Sequence, residues 1–494
     1  MYKETLVKDL NRLAGLETAA YSLARRMTGI GIAVVFLAIV WVATSVMTTG
    51  VDNQAFIIAA GVVGGYMAIN IGANDVANNV GPAVGAKSLT MAGALIIAGI
   101  FESAGAVIAG GDVVKTISKD IIDASLISEP RLFMWAMLAA LLAAALWINL
   151  ATYVNAPVST THSIVGAVMG AGIAAAGVAV VNWKVMAAIA ASWIVSPLLG
   201  GVIAALFLAF VKSRIIYRPD KVAGAKRWVP VLVALMAGVF SSYLVMKGLK
   251  HVWKAGPWTV AAVGVAVYGV TYAVVRPMIR RRASGMENRN KSIRALFHLP
   301  LIFAAALLSF AHGSNDVANA VGPLAAIVAT ATTHDVKAAV GIPPWVMFVG
   351  AAGITMGLLL FGPRLIRIVG DQITRMNPMR AYCVALSAAI TVIVASALGL
   401  PVSSTHIAVG AVFGVGFLRE YYTTRRTHMI HGRVMKAPKV LSDWERLPPM
   451  EKARRRKLVR RQHLWTIAAA WLITVPLSAG FAAAIFLALA TFLG

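Results

Sequence analysis

The sequence predicts an all-α polytopic membrane protein made of two inverted-topology repeats with broken or re-entrant helical hairpins, about 12–13 spans in all. Three observations carry that prediction. Apolar residues come in bilayer-length runs, two long motifs each occur twice in the same order, and basic residues cluster in a subset of the loops. Of the 494 residues, 59% are hydrophobic and only 13% charged, too little charge to cover a soluble surface of this size.

The runs GIAVVFLAIVWVATSVM (31–47), AMLAALLAAALWINLA (136–151) and LWTIAAAWLITVPLSAGFAAAIFLALATF (464–492) approach or exceed the roughly 20 residues that cross a bilayer core. Hydropathy and turn signals place spans near 29–49, 55–72, 89–110, 131–152, 185–211, 228–246, 257–275, 296–312, 344–363, 380–399 and 464–491. Two further apolar segments, 153–176 and 400–418, are interrupted by Pro-Val-Ser-(Thr/Ser)-Thr-His. Residues 1–28 are mixed and polar with no small-residue cleavage pattern, so the first span is expected to be retained rather than removed as a signal.

Internal repetition sets the architecture. GANDVANNVGP from Gly72 and GSNDVANAVGP from Gly313 agree at nine of eleven positions, at an offset of 241. PVSTTHSIVGAVMG from Pro157 and PVSSTHIAVGAVFG from Pro401 agree at ten of fourteen, at an offset of 244. Two motifs recurring in order at nearly one spacing mean a duplicated unit. WIVSPLLGG (193–201) and WLITVPLSAG (471–480) form a weaker third pair.

Loop charge orients the units. The stretches 1–28, 212–227, 276–295, 364–380 and 419–461 are basic, the last with fourteen Lys/Arg against four acids. The 111–130 connection carries Asp112, Asp120, Asp123 and Glu129 against two lysines. With basic loops cytoplasmic, the first repeat begins from outside and the second from inside, which makes them inverted. The basic KGLKHVWK (247–254) dissents, since this scheme puts it outside. The expected division is a cytoplasmic segment 1–28, an extra helix 29–49, repeat 1 at 55–211, a two-span linker at 212–295, and repeat 2 at 296–491 including a cytoplasmic, largely solvated loop 419–461. The net charge of +26 is read as this positive-inside bias and not as nucleic-acid binding. The single cysteine, Cys383, excludes an internal disulfide.

The motifs carry the chemistry. Asn74, Asp75 and Asn78, and likewise Asn315, Asp316 and Asn319, place a carboxylate and two amides on one helical face inside apolar segments. Hard oxygen donors of this kind suit an alkali cation. Gly72, Gly81 and Pro82, with Gly313, Gly322 and Pro323, are expected to break the helices and free backbone carbonyls. Interhelical glue is the plainer role, but an ionisable group in a span is functional by default. Ser159, Thr160 and Thr161, with Ser403, Ser404 and Thr405, stand at helix starts, where hydroxyls and free N–H groups favour an anion. Capping alone is the simpler alternative for either copy taken singly. His162 and His406 are either anion donors or buried structural histidines, and they lack the partners of a zinc site. Glu102, a lone carboxylate in a span, is expected to complete a cation site or carry a proton, an interhelical hydrogen bond being the alternative. No Walker A, Rossmann or HExxH pattern is present, so no cofactor is expected and energy must come from an ion or substrate gradient.

At these residues the chain resembles the inorganic phosphate transporter (PiT) family of cation-coupled phosphate carriers, over most of the sequence beyond residue 55. The resemblance implies phosphate held between two hairpin tips, with sodium or protons nearby. Carried over by motif, it implies that Asp75, Asn78, Asp316 and Asn319 serve the cation, sodium included, and the phosphate centre. It also implies that the six Ser/Thr hydroxyls contact phosphate. Asn74 and Asn315 join the expected substrate set, and Glu102 joins the cation set through the family's F-E-x-x-G segment. Ala385 stands where eukaryotic members carry a glutamate, and the helix at 29–49 precedes the family's usual start. The expected function is secondary transport of inorganic phosphate with a cation by alternating access. A sulfate or other oxyanion permease is the alternative within the fold, and a phosphate-sensing receptor the alternative outside it. An enzyme is not expected, because adjacent Ser, Thr and His at a helix start rarely face one another. The expected partners are phosphate, the coupling cation and the lipid bilayer of the inner membrane, not nucleic acid, with a homodimer as an open option.

Overall fold

The computed structural model describes residues 27–492 apart from 128, 154–157, 249–254, 337–340, 373–375, 425–426, 431–432 and 437–461. Most of the expected segment 1–28 and most of the 419–461 loop therefore lie outside the described residues.

The long helices are numbered in chain order: α1 (Met27–Met47), α2 (Gln54–Gly85), α3 (Met91–Ala109), α4 (Pro130–Tyr153), α5 (Thr160–Ala176), α6 (Trp183–Val211) and α7 (Lys221–Tyr243). They continue with α8 (Pro257–Arg282), α9 (His298–Asp316), α10 (Ala318–Thr333), α11 (Pro344–Gln372), α12 (Pro378–Ala397), α13 (Ser404–Thr424) and α14 (Gln462–Phe492). Eleven candidate spans are long and apolar enough to cross a bilayer, and α5 is a shorter apolar helix. The protein is a multi-pass membrane protein. One small exception to an all-helical chain lies in the basic loop, where Thr427–Ile430 pairs antiparallel with Arg433–Lys436.

Buried positions concentrate in α4, α9, α10 and α12, while α1 and α8 are mostly exposed, as helices facing lipid are. α1 lies on α2, with Val40 and Thr44 buried between them. The linker helices α7 and α8 pack on each other and touch the body through α9.

The repeats exchange helices. α11 of the second repeat packs along α2 of the first, and α3 of the first packs along α9 of the second. In the same way α14 lies on α5 and α6 lies on α13. Within each repeat the pairings α2–α4 and α9–α12 correspond, as do α4–α5 and α12–α13. Such reciprocity is what a two-fold relation between duplicated units produces.

Close approach at these crossings explains the motif glycines. A Cβ on Gly72 would run into the carbonyl of Ile354 on α11, and one on Gly313 into the carbonyl of Glu102 on α3. Small residues let membrane helices pack backbone to backbone. The expectation that these glycines break the helices is corrected accordingly. α2 runs unbroken from Gln54 to Gly85 through Gly72, Gly81 and Pro82, and the second repeat breaks only at Val317, between α9 and α10. Flanking packing holds a helix through an isolated glycine at a cost of about 1 kcal/mol.

One lysine of the dissenting loop, Lys247, has a physical account. Lys247 Nζ donates to Asp112 Oδ2 at 2.9 Å and to the Ala397 carbonyl at 2.8 Å. Its charge is neutralised where it stands, so it weighs less in the loop bias than a solvated lysine.

Candidate functional site

Both Asn-Asp motifs and both hydroxyl motifs meet at one centre. Asp75, Glu102, Thr160, Thr161, His312, Asp316, Asn319 and Ser404 are each no more than 2% exposed. Asn74, Asn78 and Thr405 are half-buried and are the more accessible side chains of the centre. Ser159 and Ser403 cap α5 and α13, accepting the N–H of His162 at 3.2 Å and of His406 at 3.3 Å. Those helix starts bring the hydroxyls to the aspartates.

Corresponding contacts recur in the two repeats. The Thr160 hydroxyl donates to Asp75 Oδ2 at 3.0 Å, and the Ser404 hydroxyl donates to Asp316 Oδ2 at 3.2 Å. Across the repeats, Asn78 Nδ2 donates to Thr405 Oγ1 at 2.8 Å, while Asn319 Nδ2 donates to Thr161 Oγ1 at 3.2 Å and reaches Thr160 Oγ1 at 3.4 Å. The third hydroxyl pair, Thr161 and Thr405, departs from this pattern. Thr405 donates to Asp75 Oδ1 at 2.9 Å, but Thr161 donates to the Val402 carbonyl at 3.0 Å and leaves Asp316 alone.

His312 takes that place. Its Nε2 lies 3.0 Å from Asp316 Oδ2, one helical turn along α9, and 3.8 Å from Asp75 Oδ2. Its Nδ1 lies 3.3 Å from Glu102 Oε1. These are ion-pair separations without the alignment of a hydrogen bond. Asp75, His312 and Asp316 each offer an atom to one point, all within 4.8 Å of one another. His312 is not among the residues expected from the sequence, although, like Glu102, it is an ionisable group inside a span.

Glu102 itself reaches the centre through His312, and Asn79 Nδ2 holds its Oε1 at 2.7 Å. Asn74 Nδ2 bonds Asp75 Oδ1 at 3.0 Å and the Val158 carbonyl at 3.2 Å. Asn315 reaches the Leu400 carbonyl at 3.1 Å and accepts from Val402 N–H at 3.1 Å. Both asparagines thus tie the aspartate helices to the chain leading into the hydroxyl motifs. The His162 and His406 rings sit 5.0 Å apart, centroid to centroid. His162 also stacks on Trp193 at 3.8 Å, and that indole donates to the Pro401 carbonyl at 3.0 Å.

Charge decides what this centre can hold. Three carboxylates and one imidazole are buried together, and among the described residues no Lys or Arg makes a hydrogen bond or ion pair with them. Asp316 Oδ1, Asn319 Oδ1 and Glu102 Oε2 are buried acceptors with no hydrogen-bond partner among the described residues. Unpaired buried acceptors cost about 1–3 kcal/mol each, more when charged, and a cation among them offsets that cost.

A family model for the phosphate transporter family matches residues 71–482. The chain is 43% identical to a Helicobacter pylori (strain J99) protein named "Putative phosphate permease", over 97% of this chain and 98% of that one. It is 38% identical to a similarly named Pyrococcus abyssi protein, over 74% of this chain and 90% of that one. A solved structure titled "The sodium-dependent phosphate transporter" superposes with a TM-score of 0.78 at 35% identity, covering 89% of this chain and 100% of that one. With the motifs, the span count and the buried two-repeat centre in agreement, the chain belongs to the phosphate transporter family, a family of permeases and not of enzymes.

Proposed function

We propose that the protein carries inorganic phosphate across the cytoplasmic membrane together with a cation, by alternating access of one central site. The observation that supports this most is the meeting of Asp75 and Asp316 at a buried centre built from both repeats, with hydroxyls from both Ser/Thr motifs around it. A divalent oxyanion in such a place is strongly disfavoured alone. Cations at Asp75, Asn78, Asp316 and Asn319 would offset its charge, and Ser159, Thr160, Thr161, Ser403, Ser404 and Thr405 would donate to its oxygens. Glu102 contributes by holding His312.

In this reading the repeats run in opposite directions, the exchanged helices form the two walls that rock about the site, and the 419–461 loop is cytoplasmic. Sodium is the first reading of that cation, since the solved relative is titled sodium-dependent. A proton is the second reading, favoured by His312 between Glu102 and Asp316. Uptake of labelled phosphate into proteoliposomes, with sulfate as competitor and sodium replaced by choline, tests both substrate and ion. Uptake of phosphate that ignores sulfate and falls in choline is expected. Uptake of sulfate in its place removes the substrate assignment.

A further inference from the structure

A hydroxyl has one proton to donate, and in this centre nearly every one is already given away. Thr160 and Thr405 give theirs to Asp75, Ser404 to Asp316, and Thr161 to the Val402 carbonyl. The Ser159 hydroxyl lies 2.6 Å from His162 Nδ1. Ser403 alone shows only its backbone cap. In this arrangement the protons of Thr160, Thr405 and Ser404 are held by the carboxylates and none of them is offered to an oxyanion. Lone pairs and carboxylates attract a cation and repel an oxyanion, whose oxygens need donors.

The same side chains therefore have two mutually exclusive hydrogen-bonding states. We propose that the hydroxyls of Thr160, Thr405 and Ser404 are a donor switch: they point at Asp75 and Asp316 while the carboxylates carry no metal cation, and turn to the oxyanion once an alkali cation occupies those carboxylate oxygens. The cation and the hydroxyl protons compete for the same lone pairs, so the cation releases the donors that the anion needs. Only rotation about C–O bonds is required; no bond forms or breaks and no proton leaves its oxygen. This rests on the phosphate reading above and adds a mechanism for its coupling.

Thr405 carries the switch between the repeats. It belongs to the second repeat, donates to the aspartate of the first, and receives the amide of Asn78 at 2.8 Å, which fixes the oxygen while its proton swings. Its counterpart Thr161 is turned to the neutral Val402 carbonyl and not to a carboxylate, so it should respond less.

The test uses full-length protein in detergent, with labelled sodium and labelled phosphate as separate probes, for wild type, Thr405→Val and Thr405→Ser. With phosphate absent, Thr405→Val should bind sodium at least as tightly as wild type, since a competitor for Asp75 is gone. At saturating sodium its phosphate affinity should fall about tenfold, the loss of one hydrogen bond to a charged group. Thr405→Ser should restore both values. A threonine that only supports the fold would move both affinities the same way. Weaker sodium binding in Thr405→Val, unchanged phosphate affinity, or a wild type that binds no sodium overturns the switch. Wild-type protein that binds labelled sulfate in preference to phosphate overturns the substrate assignment instead.

Discussion

The Asp75 half of the centre and the Asp316 half share a motif but not a finish. Asp75 receives two hydroxyls, Thr160 from its own repeat and Thr405 from the other. Asp316 receives one hydroxyl, Ser404, and an imidazole, His312. At an offset of 241, the first repeat has Ile71 where the second has His312. Matching motifs thus end differently: one half is a hydroxyl-lined carboxylate and the other a carboxylate–imidazole pair. The difference also reaches the neighbours. Asn79, which holds Glu102 behind His312, corresponds in sequence to Ala320 of the second repeat.

The largest expected effect treats the halves alike. Asp75→Asn or Asp316→Asn should abolish phosphate uptake while leaving the protein in the membrane, because a cation ligand is lost while a neutral side chain inserts more easily. Uptake in proteoliposomes beside quantified protein checks it, and normal transport in either variant would leave that aspartate a structural role.

Next comes the asymmetric element. His312→Ile installs the residue of the first repeat and strands Glu102 and Asp316 without their shared partner. Breaking a buried charge pair costs about 3–5 kcal/mol, so uptake should fall roughly a hundredfold or more. A variant close to wild type would show that the imidazole is only packing.

Much of this was legible in the sequence. Eleven helices lie where hydropathy placed them, and both hydroxyl motifs open helices at Ser159 and Ser403, because capping residues and apolar runs are local signals. The helix breaks expected at Gly72 and Gly81 did not appear; at Gly72 the glycine instead serves the crossing with α11, which is far away in sequence. The orientation of the hydroxyls was illegible for a similar reason: Thr405 bonds Asp75 across 330 residues. One signal was present and unused. The two positions at which the eleven-residue motifs disagree are Ala73/Ser314 and Asn79/Ala320, and there the structure departs from symmetry: Asn79 binds Glu102, and Ser314 reaches Ser396 at 3.4 Å. Mismatches within a repeat marked the specialised contacts as well as identities marked the shared ones.

Asn79→Ala, which imports the second repeat's residue, should weaken transport about tenfold, as Glu102 loses its hydrogen bond and His312 its alignment. Equal activity would mean that Glu102 is held by packing. The smallest effects belong to the caps. Ser159→Ala and Ser403→Ala each remove an N-cap worth about 1 kcal/mol and an oxyanion donor. Ser403→Ala should weaken phosphate binding more, because the Ser159 hydroxyl is engaged with His162 and the Ser403 hydroxyl is not. The reverse order would show that the imidazole frees Ser159 to donate.

Cation-bridged binding of the anion is the claim beneath all of these comparisons, and linkage makes it measurable. Phosphate affinity is to be titrated against sodium concentration and against pH on the wild-type protein, with sodium affinity titrated against phosphate in return. Phosphate should bind more tightly as one of the two cations is raised, and that cation should bind more tightly by the same factor when phosphate is present. A phosphate affinity that responds to neither sodium nor pH would contradict the bridged site and require a direct Lys or Arg contact from elsewhere in the chain.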